Sequence, residues 1–155
     1  MQVGIDTVEI KRIDSLIKNK ERFLERVFSL KEQEEFIKRN NKTEHIAAAF
    51  CAKEAFSKAL GTGVSGFNLN EVSLLHKENG KPYLEFSGKA LEIVNESGLS
   101  FDISITHTDS IATAIVIAFR GEALWLINFR STIKKQRKFY RKDRRMPTKV
   151  LLAEF

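Results

Sequence analysis

Apolar and polar residues alternate over 4–10 (GIDTVEI) with the period of a strand, which sets Ile5 and Asp6 on opposite faces. Asp is depleted in strands, so Asp6 asks for a reason to be there. From 11 to 19 the spacing becomes helical, with Ile13, Leu16 and Ile17 on one side. Phe23, Leu24, Val27 and Phe28 continue that period. Ser29-Leu30-Lys31-Glu32 is a capping box and predicts a charged helix through Arg39. The polar stretch Asn40-Asn41-Lys42-Thr43 breaks it. Asn41, with Glu44 three residues on, is the expected cap of a central helix that runs to Leu60 and is stopped by Gly61. Beyond a loop at 61–69, strands are predicted at 71–75 and 83–86, joined by the hairpin signal Asn79-Gly80. A short helix at 89–96 ends at Gly98, and 103–105 with 111–119 form a second hairpin. The order strand, helices, strand pair, helix, strand pair predicts an α+β fold, a mostly antiparallel sheet packed with a long central helix. The chain has no internal repeat.

At 155 residues the chain fits one domain with an appendage, and 43% hydrophobic content with 12 Phe is enough for a core. A single cysteine excludes an internal disulfide framework and suits a reducing compartment. Cys51, among alanines in the central helix, reads as a small buried residue rather than a nucleophile. The strand-like pattern starts at Val3 with no basic region or long apolar stretch before it, so no signal peptide is expected. The run at 111–119 is too short to span a bilayer. The expectation is a cytoplasmic protein without a membrane span.

Charge divides the chain. Residues 1–119 carry 15 Lys/Arg against 17 Asp/Glu, a net −2, while 120–155 carry 11 against 3, a net +8. The pI near 9.5 therefore belongs to the C-terminal stretch and not to the domain before it. The expected organisation is a domain at 1–119 and a flexible basic extension at 120–155. The run 134–145, basic with aromatics among its charges, would attract RNA or anionic lipid; a solvated, disordered extension is the alternative.

The segment 50–63, FCAKEAFSKALGTG, carries the densest chemistry: Lys53, Glu54 and Lys58 on an alanine-rich helix that ends in a glycine turn. Lysines can meet phosphate charge, a carboxylate can hold Mg²⁺, and glycines let backbone N–H groups approach phosphate oxygens. Glu54 and Lys58 are also an ordinary i,i+4 helix pair, and Gly61 an ordinary helix stop, so the spacing alone leaves both readings open.

Taken with this segment, GIDTVEIKRI at 4–13, NGKPYLEF at 79–86 and ISITHT at 103–108 resemble the holo-acyl-carrier-protein synthase family of small phosphopantetheinyl transferases. The four motifs stand in the family's order and spacing and cover about residues 2–119. The resemblance implies Mg²⁺-dependent transfer of 4′-phosphopantetheine from coenzyme A to a serine of an apo acyl carrier protein. That reaction leaves holo carrier protein for fatty acid biosynthesis and releases 3′,5′-ADP. It also implies a homotrimer with sites between subunits, with nucleic acid not expected as the main partner. By this resemblance Asp6 and Glu54 are the metal-binding acids. Lys58 faces phosphate and, with them, makes up the catalytic set. Lys53, Gly61, Thr62 and Gly63 line the nucleotide; Lys81 and Pro82 lie near the adenine and ribose phosphate; His107 lies near the coenzyme A phosphates. Arg12 and Arg22, with Leu16 and Phe23 as an apolar contact, meet the carrier protein.

The chain departs from the family at Ala49, where an arginine is usual, and at Thr106, which keeps the hydroxyl of the usual serine. The loss at Ala49 raises the alternative of a carrier-protein-binding module without catalysis. Asp6, Glu54, Lys58 and His107 are all present and argue for the enzyme.

Overall fold

The N-terminal alternation forms strand β1 (Gln2–Glu9), which passes directly into helix α1 (Ile10–Asn19). Short helices α2 (Phe23–Val27) and α3 (Leu30–Lys38) precede the long helix α4 (Thr43–Leu60). The hairpin β2 (Val72–His76) and β3 (Pro82–Phe86), helix α5 (Gly88–Ser97), and strands β4 (Leu99–His107) and β5 (Ile111–Arg120) follow. This computed structural model describes residues 1–120; the expected flexible extension lies, past Arg120, outside the described residues.

Two antiparallel sheets result, one of three strands in the order β1-β5-β4 and one made of the β2-β3 hairpin. The first strand of the chain pairs with the last, Asp6 opposite Ala114, and Ala114 faces Ile105 across β4. Asn79-Gly80 makes the turn as expected: Gly80 takes φ 81 and the Asn79 side chain accepts from Lys81 N at 3.1 Å.

Helix α4 packs on one face of the three-stranded sheet through small residues. Ala47, Ala52, Ala55 and Ala59 on the helix and Ala112, Ala114 and Ala118 on β5 are all fully buried. The approach is closest at Gly4, where an added Cβ would stand 1.9 Å from Ala55 O and 2.5 Å from Ala59 N. Phe56 on α4 then meets Phe86 of β3 at 4.9 Å and Phe101 of β4 at 5.0 Å between centroids, which joins the two sheets into one core.

Helix α3 starts at the capping box: Ser29 Oγ accepts from Glu32 N at 3.3 Å and Glu32 Oε2 from Ser29 N at 2.9 Å. The cap of α4 is a correction. Lys42, not Asn41, is its N-cap, and no side chain caps it. Asn40 and Asn41 instead turn left-handed, φ 58 and 51, and Asn41 N donates to Phe36 O at 2.7 Å. Asparagine tolerates that conformation, so Asn41 closes α3 rather than opening α4. No helix among the described residues is long and apolar enough to cross a membrane.

Candidate functional site

Asp6 stands on the face of β1 that packs against α4, flanked on that face by buried Gly4 and Val8. Glu54 and Lys58 lie one turn apart on α4, on the side that flanks β1. Lys58 Nζ donates to Asp6 Oδ1 and to Ile5 O, both at 2.9 Å. It forms no ion pair with Glu54 among the described residues, so the i,i+4 reading of the spacing gives way to a contact between helix and strand. The Asp6 side chain is 17% exposed and that of Lys58 52%.

Glu54 has no hydrogen-bond partner among the described residues. Its carboxyl is held above the usual range first by partial burial and then by the negative charge of Asp6, while Lys58 and Arg12 oppose the shift. A carboxyl whose proton affinity is raised by a neighbouring carboxylate marks a concentration of negative charge that suits a hard divalent cation. No group of three or more His, Cys, Asp or Glu fit to hold a metal occurs among the described residues. A pair of carboxylates with the rest of the shell left to water and phosphate is the pattern Mg²⁺ accepts, so the donor set fits the implied ion.

The glycine turn follows directly. Gly61 caps α4 at φ 82 and Gly63 takes φ 61, each with open space around its Cα. Thr62 Oγ1 donates to Gly63 O at 3.1 Å, and no backbone bond uses the N–H of Thr62 or Gly63 among the described residues. This exposed loop begins three residues beyond Lys58.

Lys53 is placed elsewhere than expected. It is fully buried, its Nζ donating to Glu32 Oε2 at 2.7 Å, to Leu69 O at 3.2 Å and to Val72 O, 5.2 Å from the centroid of Phe28. All three donors are spent inside the core and none is left for a ligand. Burial lowers its proton affinity and raises that of Glu32, the partner charge opposing both shifts. Phe23 is a second correction. It is 9% exposed and packs edge-on to Phe28 at 6.0 Å, so it belongs to the core and not to a docking surface. Leu16 is half-buried against the same core. Arg12 and Arg22 are exposed, and Arg22 Nε donates to Glu25 at 2.7 Å.

His107 and Lys81 are not brought to the Asp6 cluster. Asp6 is on edge strand β1 and His107 on edge strand β4; two strand spacings and two residues of rise separate their Cα atoms by about 12 Å. Between them α4 covers β5, with Cys51 Sγ donating to Ala112 O at 3.3 Å. Lys81 Nζ pairs with Asp102 of β4 at 3.2 Å, and Pro82 opens β3 beside it.

His107 instead meets His45 edge-on at 5.9 Å, in a cavity of about 320 Å³. The cavity is also lined by Arg39, Glu35, His76 and the departure site Ala49, so all three histidines of the chain share it. His76 Nδ1 lies 3.0 Å from Glu35 Oε2. His45 is held below the usual imidazole range, chiefly by burial. Sequence reasoning missed Arg39, His45 and His76 because they come from three separate elements with no shared spacing.

A family model described as the 4′-phosphopantetheinyl transferase superfamily matches residues 2–116. A holo-[acyl-carrier-protein] synthase of Caldanaerobacter subterraneus subsp. tengcongensis is 41% identical over 121 residues, 77% of this chain and 95% of that protein. Among solved structures, the holo-[acyl-carrier-protein] synthase of Neisseria meningitidis superposes with a TM-score of 0.71 at 30% identity, over 76% of this chain and 97% of that one. The Helicobacter pylori synthase, solved in complex with coenzyme A, gives 0.66 at 30% identity, over 76% and 99%.

Proposed function

Since the chain belongs to the holo-[acyl-carrier-protein] synthase family of 4′-phosphopantetheinyl transferases, we propose that it moves 4′-phosphopantetheine from coenzyme A to a serine of an apo acyl carrier protein, with Mg²⁺, in the cytoplasm and in the service of fatty acid biosynthesis. The observation that carries this reading is the meeting of Asp6, Glu54 and Lys58, drawn from β1 and α4, beside an open glycine turn.

In the reaction the serine Oγ bonds to the phosphorus next to the pantetheine. The bond to the bridging oxygen breaks, 3′,5′-ADP leaves, and the serine proton passes to solvent. Asp6 and Glu54 would hold a Mg²⁺, which supplies charge neutralisation across the pyrophosphate and a better leaving group. Lys58, in the last turn of α4, would offer its ammonium to a phosphate oxygen arriving over the glycine turn. Gly61, Thr62 and Gly63 give that phosphate room against the backbone. Arg12 and Arg22 face an acidic carrier protein and act chiefly on orientation and on-rate.

Asp6 and His107 lie on opposite edges of one sheet, and we propose that His107, Lys81 and Pro82 serve the acids of another copy rather than those of their own. The bare face of the sheet supports such an assembly: Val3 and Ile5 are 51% and 56% exposed, Ile117 and Phe119 each 37%. We take the assembly to be a homotrimer with sites between copies, testable by light scattering. The transferase domain is proposed to end near residue 119, the rest being a separate extension.

Intact mass of an apo acyl carrier protein after incubation with the chain, coenzyme A and Mg²⁺ tests the reaction. A gain of about 340 Da, lost with EDTA and with Asp6→Ala or Glu54→Ala, is the expected result for transfer of this group. No gain across several carrier proteins would overturn it.

A further inference from the structure

Lys58 Nζ sits on Asp6, one of the two carboxylates read above as metal ligands, with a second bond to Ile5 O. We propose that this ammonium is a resident counter-ion: it weakens the acidic pair's hold on a divalent cation until a phosphorylated substrate draws it away, so that metal and nucleotide each tighten the other's binding. The inference rests on the functional reading of Asp6 and Glu54.

Three features of the geometry support it. Asp6 is mostly covered, so its charge is poorly solvated and benefits from a fixed partner, which Lys58 Nζ supplies by donating to Asp6 Oδ1. Lys58 itself is half exposed, so moving its head costs little packing. Its third donor hydrogen is uncommitted among the described residues, and the glycine turn with its open surroundings begins only three residues on. A pyrophosphate arriving over that turn offers the ammonium more charge than Asp6 alone does.

The electrostatics follow from counting charges. With Lys58 in place the Asp6–Glu54 pair presents a net −1 to an approaching cation; with Lys58 turned to phosphate it presents −2, and the phosphate adds its own. Reciprocity then requires that coenzyme A raise metal affinity by the same factor as metal raises coenzyme A affinity.

The test titrates Mn²⁺ alone into substrate-free protein and follows free Mn²⁺ by electron paramagnetic resonance, with and without coenzyme A. Wild type should bind Mn²⁺ weakly by itself and about ten-fold or more tightly with coenzyme A, within the usual span of coupling between sites. Lys58→Ala should bind Mn²⁺ alone about five-fold tighter than wild type, the scale of a partly exposed ion pair, and lose most of the enhancement by coenzyme A. Lys58→Arg, which keeps a cation beside Asp6, should retain the weak binding. Lys58→Ala with Mn²⁺ affinity equal to or below wild type would overturn the counter-ion role. Asp6→Asn and Glu54→Gln separate the two readings. Mn²⁺ binding that depends on these carboxylates but not on Lys58 sinks this inference alone, whereas binding indifferent to both carboxylates sinks the metal assignment with it.

Discussion

Replacing Gly4 by Ala should damage stability and turnover together, through one displacement. The new Cβ would meet Ala55 O at 1.9 Å and Ala59 N at 2.5 Å. An ordinary contact needs roughly 3.5 Å, so β1 and α4 must part by about 1–1.6 Å. Both obstructing atoms are backbone and cannot rotate aside as a side chain would. Overpacking costs about 1–3 kcal/mol, and this rigid contact puts the variant at the upper end. For a unit of this size that corresponds to a fall in Tm of roughly 10 °C. The same parting separates Asp6, two residues along β1, from Glu54 and Lys58 on α4. A misplacement of about 1 Å at a reacting centre costs up to ~10²-fold, so kcat/KM should fall roughly 10- to 100-fold in the folded fraction. The assays are thermal unfolding by circular dichroism and the rate of carrier-protein modification at about 15 °C, roughly 30 °C under the lowered melt of a typical mesophile domain, which keeps the variant folded. Gly98→Ala is the control: its φ of 62 makes alanine strained, yet nothing lies within 4 Å and the site is remote. It should lose about 1 kcal/mol and leave kcat/KM unchanged. Gly4→Ala within about 2 °C of wild type, or a large loss of Tm with full turnover, would refute the link between this packing seam and the site.

Cys51 is buried, and its thiol is pushed up to about 12, first by burial and then by the charge of Asp6. The folded value lies above the unfolded one, so its stabilising contribution is whole below pH 9 and declines by about 1.4 kcal/mol per pH unit towards 12. Cys51→Ala should flatten that part of the alkaline loss, and native protein should resist iodoacetamide at pH 8; rapid native alkylation would contradict the burial. Lys53→Met alone should cost about 3–5 kcal/mol by leaving Glu32 buried and unpaired, while Lys53→Met with Glu32→Leu should recover much of it; equal losses in urea unfolding would argue against the pair. Deleting 121–155 should leave transfer largely intact and remove any salt-sensitive RNA binding; lost transfer would place the extension inside the domain.

Local rules were enough for the elements. The period of two marks β1, the capping box marks α3, and Asn79-Gly80 marks a hairpin, because each depends on neighbours in the chain. The pairing of β1 with β5 is not legible, since alternation states which residues share a face and not which strand lies alongside. Lys53 and Glu54 show the same limit at one residue's resolution. Both are charged and adjacent on α4, yet 100° of helical turn sends one into the core and the other to the site. A helix apolar nearly all round was a warning that some of its polar residues lie inside. It did not say which. The histidine cavity was out of reach for the same reason: His45, His76 and His107 are 31 residues apart in sequence from one to the next and meet only through the packing of α4, β2 and β4.

The buried bridge between Lys53 and Glu32 also constrains how this chain can diverge. Glu32 closes the first turn of α3 and receives Leu74 N at 3.0 Å, while Lys53 ties α4 to the segment leading into β2. A drift at either position alone passes through an intermediate with an orphan charge in the core. The two positions should therefore change together: among descendants, a lysine lost at 53 should be accompanied by a change at 32. Glu54, one residue further on, is tethered to no such partner among the described residues, so no packing constraint of this kind holds it in place.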